Sequence, residues 1–372
     1  MRADFMSNLS KCHQMVLSSA LCSIRLSGRL ALDQVIFDFE KKQGKYALTP
    51  FSWRPLMHNS LMTDKFPTLI ATSVVRGSQQ GESHGGIYTI DFQNQSGELL
   101  VDWNTSEINF EGRGADRGLR GICFDGDDIY VAASDELFCY DRDFQIKASF
   151  KNKYLKHCHE IMRKGRRLFL TSTGFDSILS FNLDSRSFDW GFRLSRAYGN
   201  WNGYTYDPQI HTGPAPVNDF HINSVFADDT GIYLAGLHTQ ACLHLNQDWK
   251  VTEYCSLPTG VHNAQPWRGG ILFNDTQNDA VRHVSRDGRQ GAFRVKTYAE
   301  KDIQFAGIDD SKVARQGFGR GLCVVSDRLI AGGSSPSTIT LYDLETQQVV
   351  GSVNLSMDIR NAIHGLEVWP YA

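Results

Sequence analysis

Four histidines and two arginines occupy the same place in a repeated pattern. Arg120, His159, His221, His262, Arg320 and His364 each stand just before a short apolar run, in segments 118–122, 158–161, 220–222, 261–264, 319–322 and 363–366. Neutral imidazole is a favoured ligand for Zn, Fe, Mn and Cu, and three protein ligands leave one coordination position open for chemistry. The planar guanidinium fork suits a carboxylate, sulfate or phosphate. Clustering such groups without a partner is costly. If the six side chains meet, they imply a metal, a bound anion, or a plug held by hydrogen bonds to neighbouring carbonyls.

The elements that must position them follow one formula. After each of the first five segments comes a turn, an apolar strand such as 129–132 or 232–235, a polar loop, and a third strand such as 137–141 or 339–343. Successive ring residues are separated by 39, 62, 41, 58 and 44 positions. A period of roughly 40 to 50 residues with four short strands per unit is the signature of a β-propeller, whose blades bury their faces only against neighbours. The spacing predicts an all-β, six-bladed propeller. Its blades are 118–150, 157–194, 219–255, 261–298, 318–355 and a composite of 66–104 with 361–371. The C-terminal strand completes the N-terminal blade and closes the ring without exposed sheet edges. A seventh blade would have to come from residues 1–65, which do not fit the repeat and are read as an extension or cap, with 66–372 as the propeller domain.

Inner strands line the channel of a propeller, so the six residues are expected to form a ring in the order His364, Arg120, His159, His221, His262, Arg320. Three histidines on consecutive blades, His159, His221 and His262, are the expected metal ligands. His364 is expected to contact substrate or move protons, and Arg120 and Arg320 to hold an anionic group. Glu160, Asp219 and Glu367 are candidates to accept the free imidazole N–H and fix the tautomer, with Asn223, Asn263 and Gln265 as hydrogen-bonding neighbours. His157 and His238 are reserve ligands, whereas His244 and His283 lie in third strands and read as structural. Long connections at 196–219, 299–319 and 104–118 are candidates for lids. The first carries Tyr198, Trp201, Tyr204 and Tyr206, with Tyr204 the candidate acid or base.

Composition narrows the classes. Of 372 residues, 41% are hydrophobic and 21% charged, and the formal net charge is −3, which gives no argument for nucleic acid as a partner. No apolar run reaches the roughly 20 residues of a membrane span. Eight cysteines without a CxxC pair, four of them inside predicted strands, read as buried thiols of a reducing compartment. The weakly apolar stretch 15–24 is short and polar-speckled for an export signal, so a cytoplasmic location is expected. Neither a P-loop, a dinucleotide fingerprint nor a GxSxG elbow is present.

The segments NDFHIN at 218–223, VHNAQP at 261–266, GFGRGL at 317–322 and IHGLEVWP at 363–370 resemble a family of uncharacterised propeller proteins, over roughly residues 66–372. In plan the site is similar to that of the peptidyl-α-hydroxyglycine lyases, six-bladed propellers with three histidines on zinc and nearby Arg and Tyr. That resemblance implies His159, His221 and His262 on the metal, Arg120 or Arg320 on substrate, and a lid tyrosine. It is more distantly similar to the carotenoid cleavage oxygenases, which hold iron on four axial histidines in seven blades; His364 would then be the fourth ligand. The expected activity is a metal-dependent (Zn, Mn or Fe) lyase or hydrolase acting on a small polar anionic metabolite or glycan. A four-His non-haem iron oxygenase and a non-catalytic ligand-binding propeller are the alternatives.

Overall fold

The computed structural model describes residues 66–79, 81–104, 118–307 and 315–371. Six antiparallel sheets follow one another around a ring, which makes the fold a six-bladed β-propeller. Blade 1 is the composite one: Asn361–Val368 pairs with Leu69–Val75, Leu69–Val75 with Gly86–Asp91, and Gly86–Asp91 with Ser96–Asp102. The register runs from Leu69 opposite Val368 to Val75 opposite Asn361. Blades 2 to 6 begin with the inner strands Ile122–Asp125, Ile161–Lys164, Ile222–Ala227, Val261–Trp267 and Leu322–Val324. Among the described residues there are six blades; residues 1–65 lie outside the described part. No helix of the described residues is long and apolar enough to cross a membrane.

Both faces of each sheet are buried, because neighbouring blades press on each from either side. Successive side chains of a strand point to opposite faces. Leu69 therefore packs towards blade 6, with Ala331, Ile339 and Leu341. Its neighbour Ile70 packs towards blade 2, with Ile122, Ile129 and Val131. Four further clusters fill the remaining interblade seams. Their continuity, including the seam between blades 6 and 1, is what closes the ring.

Blade 3 departs from the pattern. The stretch expected as a lid at 196–219 instead begins with a hairpin: Ser187–Ala197 turns at Tyr198 and Gly199 and returns as Asn200–Tyr206, a fifth strand on the outer edge. Both turn residues have positive φ, 51° and 83°, the geometry of a tight two-residue hairpin whose twist matches its strands. The Tyr-Gly pair was the signal for it. The expected lid at 104–118 falls largely, and that at 299–319 partly, outside the described residues.

Candidate functional site

Five ring residues stand at the start of an inner strand and His364 within one, and in three blades the ladder beside them is broken by a bulge. Pairing shifts between Ile222 and Ser224 in blade 4, between His262 and Gln265 in blade 5, and opposite Ala71 and Ser73 in blade 1. A bulge re-aims the side chains beside it. Here it coincides with positive φ at His221 (53°) and Asn263 (52°). In blade 1 the bulge brings Gly365 against blade 2, where a Cβ would lie 2.4 Å from the Arg120 carbonyl oxygen, so only glycine fits that close approach. Thr72 Oγ1 accepts the Gly365 amide at 2.8 Å and donates to the same Arg120 carbonyl, stitching blade 1 to blade 2.

The ring residues are drawn together as expected from the repeat, but into two groups. His159 is the hub of the first. Its imidazole centroid lies 5.2 Å from that of His221 and 6.1 Å from that of His364. Its Nδ1 donates to the His157 carbonyl at 2.7 Å and to Thr173 Oγ1 at 2.9 Å, while the Thr173 hydroxyl donates to Ile222 O at 2.5 Å. These partners assign the proton to Nδ1 and leave Nε2 as a lone-pair donor. His364 is buried and engaged by Arg320, whose Nη1 lies 2.9 Å from His364 Nε2.

His262 belongs to the second group, beside Phe318 at 5.7 Å between centroids. It is 3% exposed, and neither ring nitrogen has a hydrogen-bond partner among the described residues. The Gly260 carbonyl is near enough to favour the charged ring weakly, without the geometry of a hydrogen bond. Three guanidinium groups surround the same phenyl ring: Arg320 at 4.6 Å, Arg315 at 5.1 Å and Arg76 at 5.2 Å. Reading the sequence missed Arg76 and Phe318. The GFGR run at 317–320 was the signal for Phe318, whereas Arg76 arrives from the turn after Leu69–Val75, outside the repeated register.

Asp176 is a further residue the repeat did not reveal. Fully buried, it takes a left-handed backbone conformation (φ 43°) at the end of a short 3-10 turn. Its carboxylate accepts the amides of Asp219 (2.7 Å), Phe220 (3.2 Å) and His221 (2.9 Å), and lies 3.5 Å from Arg193. Three amides converging on one carboxylate fix the backbone that carries His221. Burial raises its pKa, opposed by those amides and by Arg193.

The field in the cluster is positive. Arg120 is fully buried and Arg320 nearly so. Burial, and then the charges of these two arginines, push the imidazoles of His159 and His364 well below their ordinary range. Burial and Arg320 do the same to His262. The half-buried His221 is lowered to about 3, by burial first, then by Arg320, His238 and Arg120. All four are therefore neutral at pH 7.

Deeper in the channel the sign reverses. Glu160 accepts the Val225 amide at 3.0 Å and the Asn263 side-chain amide at 3.1 Å, and Asn263 Oδ1 accepts the Gly321 amide at 2.9 Å. This chain ties blade 3 to blades 4, 5 and 6, so Glu160 meets amides where it was expected to meet an imidazole. Burial pushes Glu160 up to about 7. The neighbouring protein and the charge of Glu160 push Glu367 upward as well. Its side chain is exposed to solvent, so the upward direction is what stands and its extent is small.

The remaining expected residues are dispersed. Tyr204 is half exposed on the fifth strand of blade 3, opposite Arg193, and three strands separate it from the inner strand of that blade. Asp219 is exposed and contributes its backbone amide to Asp176. Asn223 Nδ2 donates to Val261 O at 2.9 Å and Gln265 Nε2 to Leu322 O at 3.3 Å, both across blade seams. His244 and His283 pack peripherally on Tyr233 and Trp267. Among the described residues no group of three or more His, Cys, Asp or Glu side chains is arranged to hold a metal ion.

No family model and no curated protein matches the chain. Solved structures match in fold. A protein of unknown function from Bacteroides caccae aligns with TM-score 0.50 at 10% identity, over 81% of this chain and 98% of that one. A catalytically inactive virginiamycin B lyase from Staphylococcus aureus with quinupristin aligns at 0.41 and 14% identity, over 67% and 73%. A streptogramin B lyase aligns at 0.37 and 14% identity, over 62% and 70%. At these identities the likeness is one of fold alone.

Proposed function

We propose that the axial cluster binds an anionic group of a small polar substrate and performs lyase or hydrolase chemistry beside it. The observation that carries this reading is electrostatic: two buried guanidinium groups stand among four imidazoles that are held neutral. An anion is attracted to that positive field, and arginine's fork gives it direction. Arg120 and Arg320 are the holding residues. His221 is the candidate base, because it is the ring imidazole with most access to solvent and Asp176 fixes its backbone. Its depressed pKa makes it a weak base in the empty site; a bound anion raises that pKa towards neutrality, where proton transfer is most effective. In a lyase step it would take the proton α to a carboxylate, and the C–H electron pair would become the new double bond as the leaving oxygen departs with a proton. Tyr204, at the outer edge of blade 3, has no part in this.

A divalent Zn, Mn or Fe ion is a second reading, favoured by two observations: both nitrogens of buried His262 lack hydrogen-bond partners among the described residues, and His159 presents Nε2 with its tautomer fixed by a carbonyl. Such an ion would polarise a substrate oxygen or activate water. The donors suit it one by one, not as a set of three, because His262 stands with Phe318 and His364 Nε2 is occupied by Arg320. The four-His iron reading would in addition need Arg320 to release His364.

Titration calorimetry with glucuronate, together with elemental analysis of protein purified without chelator, tests the proposal. Binding with substoichiometric metal supports the acid–base reading. One metal per chain supports the second, iron with oxygen uptake the oxygenase, and binding of acids without any turnover the non-catalytic propeller. Absence of anion binding would overturn the proposal.

A further inference from the structure

Beside the ring, on the face where the blade connections run, two cavities lie along the seam between blades 2 and 3. The inner one, of about 490 Å3, is lined by His157, Lys151, Lys153 and Lys156 together with the apolar Leu155, Phe175 and Pro216. The outer one, of about 350 Å3, shares Lys151 and Asn152 with it and adds Arg186, Phe150 and Phe188. The inner cavity neighbours the axial site through its lining, since the His157 carbonyl accepts His159 Nδ1 and Phe175 ends the turn that carries Thr173.

The geometry points to this cleft as the binding site for the body of an acidic oligosaccharide, a chain of carboxylated sugars whose terminal carboxylate reaches Arg120 and Arg320. The inference deepens the axial anion reading and rests on it. Charge is the first argument. Lys151, Lys153, Lys156 and Arg186 face a single lining carboxylate, Asp135, on a chain whose formal net charge is −3. A cationic strip against an acidic average attracts an extended anion rather than a point charge. Size is the second, since cavities of this volume hold ligands well beyond a single small acid. The apolar lining is the third. Between the cations lie the surfaces of Leu155, Phe175, Pro216 and Phe150, the last with the Arg186 guanidinium 5.2 Å from its ring centre. Sugar rings have C–H faces that cover such surfaces, whereas a phosphate chain offers none.

Lys151 is excluded from the test because it also pairs with Glu136 at 3.6 Å. The exposed trio Lys153, Lys156 and Arg186 is replaced together by Ala, and binding of galacturonate, trigalacturonate and tripolyphosphate is measured at low salt. Trigalacturonate is expected to bind the unaltered protein about tenfold or more tighter than galacturonate. The triple variant should lose that gain while keeping its affinity for the monomer and its melting temperature. Equal affinity for monomer and trimer, or a trimer affinity untouched in the variant, overturns the cleft proposal; tripolyphosphate binding tighter than trigalacturonate overturns its sugar identity. Failure of the axial reading looks different: Arg320→Lys would leave both sugar affinities unchanged while the triple variant still removed the gain for the trimer.

Discussion

Arg320 Nη1 donates to His364 Nε2 across 2.9 Å, and the two residues stand on blades 6 and 1, on either side of the seam that closes the ring. A guanidinium has no acceptor to offer, so the imidazole must be neutral with its proton on Nδ1. His364 therefore cannot act as a base or a metal ligand through Nε2 while Arg320 holds it. On the proposed reading, an anion that drew Arg320 away would release His364 when substrate binds.

Arg320→Lys tests this coupling. Lysine keeps the charge but loses the fork, so affinity for glucuronate is expected to fall about tenfold or more. Nitrogen NMR of the imidazoles should show His364 with its Nδ1–H tautomer in the unaltered protein at pH 6, and a mixture of tautomers in the variant. An unchanged spectrum together with an unchanged affinity would make Arg320 a structural residue.

Asp176→Asn probes how His221 is held. One acceptor oxygen becomes an NH2 group facing the amides of residues 219–221, and a charge-assisted hydrogen bond is lost in a buried place. The expected cost is about 2–3 kcal/mol of stability, read by urea denaturation. Asp176 positions and does not react, so turnover should fall more than substrate affinity, with His221 displaced and both arginines intact. A variant of native stability and native turnover would remove Asp176 from the account.

The ring was legible in the sequence because a histidine or arginine recurs in one register, and register is what a propeller repeats. The blades were legible for the same reason, down to the completion of blade 1 by residues 361–368. What the sequence hid lies off that register. Asp176 reaches His221 from the turn of another blade, Arg76 comes from a turn in blade 1, and His262 packs on Phe318 while His159 packs on His221, although the spacing treats the three histidines alike. Tyr204 was misplaced because an aromatic connection reads as a lid until the Tyr198-Gly199 turn folds it back as a strand.

Deletion of residues 361–372 should abolish cooperative folding. It removes the inner strand of blade 1, including Ile363 and Leu366, which are buried in the seam with blade 6. It also removes Trp369 and Tyr371, which pack edge-on against Phe124 of blade 2 at 5.9 and 5.7 Å. Both seams of blade 1 open at once and a strand edge is exposed. Calorimetry of the truncated chain is expected to show no cooperative transition; an unchanged melting curve would refute ring closure as the source of stability.

Anion binding should take up protons, and the sign separates the two readings of the site. The four imidazoles are depressed in the empty site, His221 to about 3, so near pH 7 they are neutral and each can take up one further proton. A bound carboxylate favours the imidazolium form and raises those values. It also favours the protonated form of Glu160, already near 7. Both effects make the complex hold more protons than the free protein, so affinity for glucuronate rises as pH falls from 8 to 5.5, by up to tenfold per unit for each proton taken up. Stability runs the other way for the histidines. Their unfolded-state pKa, about 6.5, lies above the folded values, so the stability they contribute is full above about pH 6.5 and is lost as pH falls towards 3; titrations therefore stay above pH 5.5. A metal site would behave oppositely, because its ligands must be deprotonated and metal affinity increases with pH. Calorimetry in buffers of different ionisation enthalpy counts the protons directly. Uptake on glucuronate binding supports the cationic anion site, while proton release on titration with zinc, and none on glucuronate, would move the metal reading ahead of it.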